Sequence, residues 1–96
     1  CYTSGTTGNP KGVLYEHRSN VIHAITEIQP DVFDLSNRSC ILPIVPMFHA
    51  NSWGIPFAAA TVGAKLVFSM TNDAQVLCDL MHAEGVTHSA GVPTVW

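Results

Sequence analysis

From Ser39 to Ala64 the chain carries not one Asp, Glu, Lys or Arg side chain. An uncharged run of that length belongs either in a membrane or inside a larger protein, because solvated surface ordinarily carries charge of both signs. A membrane span is excluded. Pro43, Pro46 and Pro56 would each break a helix, and His49, Asn51 and Ser52 interrupt the ~18 consecutive apolar residues that a crossing needs. Composition points the same way: 11% of the 96 residues are charged and 47% are apolar, against about 25% charged in an ordinary soluble domain. There is material for a core but too little charge to cover it, so the chain reads as an interior piece of a larger fold. It begins at Cys1, shows no signal-peptide pattern, and stops at Trp96 directly after a strand-like run, so both ends are expected to be cuts in a longer chain.

The charges that do occur exclude several partners. Net charge is −3, and Lys11, Arg18, Arg38 and Lys65 stand singly, leaving no positive face for a nucleic-acid backbone. Peripheral contact with a membrane and homodimerisation stay open. Cys1, Cys40 and Cys78 are odd in number and widely spaced, without a C-x-x-C pair, which argues against a disulfide framework or zinc knuckle and for a reducing, cytoplasmic setting. Cys78 and His82 stand at i, i+4, but two ligands without a third nearby make a poor metal site.

Local patterning predicts an α/β fold. Thr3 to Gly12 has no helix or strand periodicity and reads as a loop. Val21, Ile22, Ile25 and Ile28 mark one face of a helix over His17 to Gln29, which Pro30 ends. Ile41 to Phe48 reads as a buried or edge strand, Ser52 to Thr61 as a small-residue helix capped near Gly63, and Lys65 to Ser69 as a strand. Asn72, with Gln75 three residues on, is the expected N-cap of a helix whose stripe is Val76, Leu77, Leu80 and Met81; Gly85 closes it before a strand over Val86 to Val92. Alternating helices and strands imply a mostly parallel sheet, with ligands bound where loops leave the strands.

The segment Tyr2-Thr3-Ser4-Gly5-Thr6-Thr7-Gly8-Asn9-Pro10-Lys11-Gly12 carries the strongest chemical signal. Glycines let successive backbone N–H groups converge on an anion, hydroxyls add donors or an Mg²⁺ ligand, and a lysine brings compact positive charge to phosphate oxygens. The run is not a Walker A loop: counting from Gly5, Pro10 stands where the second glycine belongs and Gly12 where the metal-binding hydroxyl belongs. Gly5 and Gly8 also lack the G-x-G spacing of a dinucleotide fingerprint.

This run closely resembles the signature loop of the adenylate-forming, or AMP-binding, superfamily: acyl-CoA synthetases, luciferases and peptide-synthetase adenylation domains. The resemblance continues in family order through Pro46-Met47-Phe48-His49-Ala50-Asn51-Ser52-Trp53-Gly54, Val62-Gly63-Ala64-Lys65 and Gly91-Val92-Pro93-Thr94. The Met-Phe-His-x-Asn-x-Trp pattern is most similar to medium- and long-chain fatty-acyl-CoA synthetases. The resemblance implies that residues 1–96 are part of the large N-terminal domain, with the phosphate loop in 1–12, the acyl-pocket region in 41–64, and a C-terminal domain elsewhere.

It also implies roles. Thr3, Ser4, Gly5, Thr6, Thr7, Gly8 and Lys11 would hold the β- and γ-phosphates of ATP, Thr3 would ligate Mg²⁺, and Lys11 would stabilise departing pyrophosphate. His49 would lie beside the α-phosphate and the reacting carboxylate, although a lone histidine beside an apolar run is by default a packed one. Trp53, by default core, matches the tryptophan that gates the acyl tunnel in the fatty-acyl branch. Gly54, Gly91, Val92, Pro93 and Thr94 are candidate pocket walls, where added bulk would shorten the accepted acyl chain. His17 stands where the family often has a helix-start histidine, and Glu16 replaces the hydroxyl residue usual before it. The implied reaction is ATP-dependent activation of a fatty acid through an acyl-adenylate, then transfer to CoA, with the isolated 96 residues inactive. The alternatives are another adenylate-forming ligase, for an aryl, amino-acid or carrier-linked acyl substrate, or a nucleotide-binding module without catalysis.

Overall fold

The computed structural model describes residues 1–4 and 8–96. The elements in chain order are β1 (Tyr2–Thr3), β2 (Lys11–Gly12), α1 (His17–Glu27), β3 (Cys40–Pro43), α2 (Ala50–Trp53), α3 (Ile55–Val62), β4 (Lys65–Leu66), α4 (Ala74–Glu84), β5 (His88–Ala90) and a closing 3₁₀ turn at Pro93–Val95. β1 and β2 form an antiparallel hairpin, and the other strands form a parallel sheet in the order β4-β3-β5. The expected α/β architecture with a mostly parallel sheet is therefore present.

β3 is the central strand and is buried along its whole length. Its side chains alternate between two cores, as a strand covered on both faces requires. Ile41 joins Leu35, Val45, Ile55, Ala58, Ala59 and Ala90 on the α3 side. Cys40 and Leu42 join Ile44, Val67 and Leu77 on the α4 side. Pro43 is tolerated in a central strand because the ladder to β4 ends at Ile41↔Leu66, before its missing N–H would matter. The expected strands over 41–48, 65–69 and 86–92 are all shorter than their apolar runs, since backbone pairing is confined to the segment all three share.

Two helix readings need correction. The N-cap of α4 is Asp73 rather than Asn72: Val76 N–H donates to Asp73 Oδ1 at 3.1 Å. Both residue types cap well, so composition alone does not fix the register between neighbours. In α1 only Ile28 of the apolar stripe packs against the α3-side core. Ala24 and Glu27 are buried there, whereas Val21, Ile22 and Ile25 are 57%, 54% and 47% exposed. Glu16 is the N-cap without a side-chain capping bond; its carbonyl accepts from Ser19 Oγ at 2.8 Å.

The expected helix over 52–61 is interrupted near its start. Ala50, Asn51, Ser52 and Trp53 have φ of 46°, 53°, 55° and 57°, forming one left-handed turn, and the right-handed α3 begins only after Gly54 at φ 84°. For L-residues this handedness costs roughly 1–2 kcal/mol each, so tertiary contacts must hold it. The main one is buried: Ser52, 0% exposed, donates its hydroxyl to the Val45 carbonyl at 2.7 Å. Ser52 N–H and Gly54 N–H close the turn on the carbonyls of His49 and Asn51. No helix among the described residues is long and apolar enough to cross a membrane.

Two stability predictions follow from these contacts, both measured by chemical denaturation of the full-length protein. Asp73→Ala is expected to cost about 1 kcal/mol, with most of the loss recovered in Asp73→Asn. Ser52→Ala strands a buried acceptor and is expected to cost about 1–3 kcal/mol; an unchanged midpoint would show that the turn does not depend on that hydroxyl.

Candidate functional site

The hairpin brings the two ends of the glycine- and hydroxyl-rich segment together. Thr3 lies directly opposite Lys11 and Tyr2 opposite Gly12, and Val13 N–H donates to the Cys1 carbonyl at 2.7 Å just beyond the paired segment. Directly opposed residues in an antiparallel pair project to the same face, so the Thr3 hydroxyl and the Lys11 ammonium share one side. Ser4 and Gly8 continue from the strand ends into the loop; Gly5, Thr6 and Thr7 lie outside the described residues. Thr3, Ser4, Gly8 and Lys11 are all exposed, and Lys11 joins no ion pair among the described residues. Gly8 has φ 109°, and none of the described residues beyond its chain neighbours lies within 4 Å of where a Cβ would stand. Exposed hydroxyls, an unpaired ammonium and an open glycine backbone suit polyphosphate oxygens and their counter-ion.

The second cluster surrounds the left-handed turn. His49, exposed, precedes it with extended backbone, and its N–H donates to the Pro46 carbonyl at 2.9 Å. Trp53 ends it, half-buried against the α3-side core. Between this turn and α1 lies a groove of ≈ 430 Å³, whose walls include Trp53, Gly54 and Phe57 on one side and Tyr15, His23 and Glu27 on the other. Gly54 is the point of closest approach. A Cβ there would stand 2.6 Å from His23 Nδ1 and 3.0 Å from Glu27 Oε2, so added bulk at this position meets α1 as well as the groove.

Sequence reasoning did not single out His23 and Glu27. The available signal was polar: Asn20, His23 and Glu27 fall at i, i+3 and i+7, one helical stripe, masked by the stronger apolar stripe beside it. Glu27 is 5% exposed, and its Oε2 lies 3.4 Å from His23 Nδ1 without a hydrogen-bond partner among the described residues. Burial pushes its carboxyl above the usual carboxylate range, while the neighbouring His23 charge pulls the other way.

The remaining pocket candidates lie elsewhere. Gly91, Val92, Pro93 and Thr94 follow β5, where Gly91 packs beneath the Trp96 ring and beside Ile44. Trp96 Nε1 donates to the Gly91 carbonyl at 3.4 Å. None of these four residues lines the groove that holds Trp53 and Gly54.

Comparison with known proteins gives this arrangement a family. The chain is 59% identical over its whole length to a medium-chain-fatty-acid–CoA ligase of Ectopseudomonas oleovorans, covering 18% of that protein. It is 51% identical over 99% of its length to a long-chain-fatty-acid–CoA ligase of Thermus thermophilus, again covering 18% of the relative. Among solved structures, the inhibitor-bound N-terminal domain of FACL13 from Mycobacterium tuberculosis superposes with a TM-score of 0.82 at 33% identity, over 98% of this chain and 23% of that one. The chain thus spans under a fifth of the length of these curated relatives. The family described as AMP-binding enzyme matches residues 1–96, and the chain belongs to it.

Proposed function

We propose that these residues form the phosphate-loop and acyl-groove portion of an enzyme that activates a fatty acid with ATP and passes the acyl group to CoA. One observation carries the reading: Thr3 and Lys11 stand opposite each other at the base of a glycine- and hydroxyl-rich loop, the arrangement a polyphosphate needs. The ligase relatives support the reaction class.

In the proposed reaction a carboxylate oxygen attacks the α-phosphorus of ATP, the bond to the bridging oxygen breaks, and pyrophosphate leaves. The CoA sulfur then attacks the acyl carbonyl and AMP departs. Negative charge grows on phosphoryl oxygens in the first step, so positioning and charge stabilisation are what the protein must supply. Ser4, Gly5, Thr6, Thr7 and Gly8 bind the β- and γ-phosphates through hydroxyls and backbone N–H groups, and the Lys11 ammonium neutralises the leaving pyrophosphate. Mg²⁺, when bound, adds charge neutralisation at the same oxygens, with the Thr3 hydroxyl as the ligand this chain offers. His49 orients the α-phosphate and the carboxylate, and Trp53 gates the groove that receives the acyl chain. Gly54 forms a wall of that groove, whereas Gly91, Val92, Pro93 and Thr94 lie outside it, beyond the end of β5.

Lys11→Ala in the full-length protein is expected to lower carboxylate-dependent ATP–pyrophosphate exchange by at least tenfold, about 1.4 kcal/mol of barrier; unchanged exchange would refute the loop assignment. Trp53→Ala is expected to alter chain-length preference across a fatty-acid series more than it alters the KM for ATP, and an effect confined to ATP would overturn the gate. The 96 residues alone are expected to show no exchange, since the C-terminal domain and the rest of the nucleotide pocket lie outside them.

A further inference from the structure

Trp53 stands between two fixed points. On one side the Ser52 hydroxyl is anchored to the Val45 carbonyl beyond the end of β3. On the other, Gly54 leaves the turn at φ 84°, and its carbonyl accepts from the N–H groups of Phe57 and Ala58 at 2.9 and 3.2 Å, so the same residue opens α3. What Gly54 rests against belongs to α1. A Cβ built on it would stand 2.6 Å from His23 Nδ1 and 2.7 Å from His23 Cε1, so the imidazole already fills the space that a side chain there would need. The His23 side chain is 58% exposed and could swing towards solvent, but its ring faces a buried partner: Nδ1 lies 3.4 Å from Oε2 of Glu27, an oxygen without a hydrogen-bond partner among the described residues. Turning the ring away would take from that buried oxygen the imidazole that faces it, at a cost.

We propose that His23, backed by Glu27, is a positioning residue for the gate: its ring is the stop against which the Gly54 end of the left-handed turn seats, and that stop fixes how far Trp53 reaches into the groove and so which acyl chain lengths are accepted. This rests on the proposed activation reaction and on Trp53 as its gate, and adds to them a residue of α1 that acts through the turn. Trp53 is bonded to both anchored residues, and its own φ of 57° has no local preference to hold it, so its place is taken from Ser52 and Gly54. His23, Trp53 and Gly54 line the same groove; a turn that seats differently against the ring therefore changes the space beside the indole. Bulk at position 54 acts first by driving turn and ring apart, and only secondarily by filling the groove.

The test measures pyrophosphate exchange by the full-length protein with butanoate, octanoate, dodecanoate and hexadecanoate, in the wild type, His23→Ala, His23→Asn, Gly54→Ala and the His23→Ala/Gly54→Ala double variant. His23→Ala is expected to change the ratio of kcat/KM between at least two of these acids by about fivefold or more, through KM for the acid, with KM for ATP altered by less than about twofold. His23→Asn, which keeps a nitrogen donor near the place of Nδ1, is expected to retain most of the wild-type ratio. Gly54→Ala is expected to lose about tenfold or more with every acid, and the double variant, in which the added methyl group finds the space vacated by the ring, to recover part of that loss, the coupling that residues in contact show. An unchanged ratio in His23→Ala would overturn the proposal and leave the activation reading standing, as would an equal loss with all four acids or a change confined to ATP. Losses that simply multiply in the double variant would equally overturn it, and so would a His23→Ala shift that persists undiminished in a Trp53→Ala background. Absence of wild-type exchange with every acid would instead refute the activation reading, and this assignment with it.

Discussion

The candidate site hangs from one strand end. β3 pairs on both sides, and where it finishes the Ala90 carbonyl accepts from the backbone N–H groups of both Ile44 and Val45. That double contact holds Val45 in place, and the Val45 carbonyl in turn receives the Ser52 hydroxyl. The left-handed turn, with His49 before it and Trp53 at its end, is therefore positioned from the centre of the sheet. A turn with this handedness has no local preference to sustain it, so its geometry is lent by the sheet. Loops at the carboxyl ends of parallel strands are where open α/β sheets bind ligands, and this one follows that rule with a buried hydroxyl as its anchor.

Several parts of this fold were legible from residue order alone. The helix–strand alternation and the terminal glycines at 63 and 85 with their left-handed φ rest on short-range chemistry that a sequence displays directly, whereas the short strands β1 and β2, which take in both ends of the run read as a loop over Thr3 to Gly12, do not. The uncharged run from Ser39 to Ala64 proved to hold the fully buried β3 and most of the residues packed around α3. The phosphate contacts proposed for the 1–12 segment rest on residue type in the same way, since glycine, hydroxyl and lysine each carry a chemistry visible in the sequence.

What was not legible depends on contacts between distant segments. Nothing in Ala50-Asn51-Ser52-Trp53 announces a left-handed turn; that conformation follows from the Val45 carbonyl and the close approach of α1 at Gly54. Helix α1 is the sharper case. Periodicity correctly marks two faces but cannot say which neighbour takes which, and here the polar stripe turns towards α3 and the turn while Val21, Ile22 and Ile25 face outward. A helix that lines a groove with one stripe and leaves another outward has no single inside. The separation of Gly91 to Thr94 from the groove is likewise a fact of topology, since they follow β5 and Gly91 packs beside Trp96 and Ile44 rather than α1.

Glu27 also ties the groove to proton equilibria. Because burial holds its carboxyl above the ordinary carboxylate range, the folded chain binds this proton more firmly than the unfolded chain does. The sign of the linkage is fixed: through the interval between the unfolded and the raised folded pKa, the native state carries more protons, so this residue's contribution to stability declines as pH rises and is most favourable below both values. The neighbouring His23 imidazole, 3.4 Å away, works against that shift when it is protonated. Glu27 is thus a buried acid held between α1 and the left-handed turn, so its protonation bears on how closely α1 and the Gly54 backbone can meet.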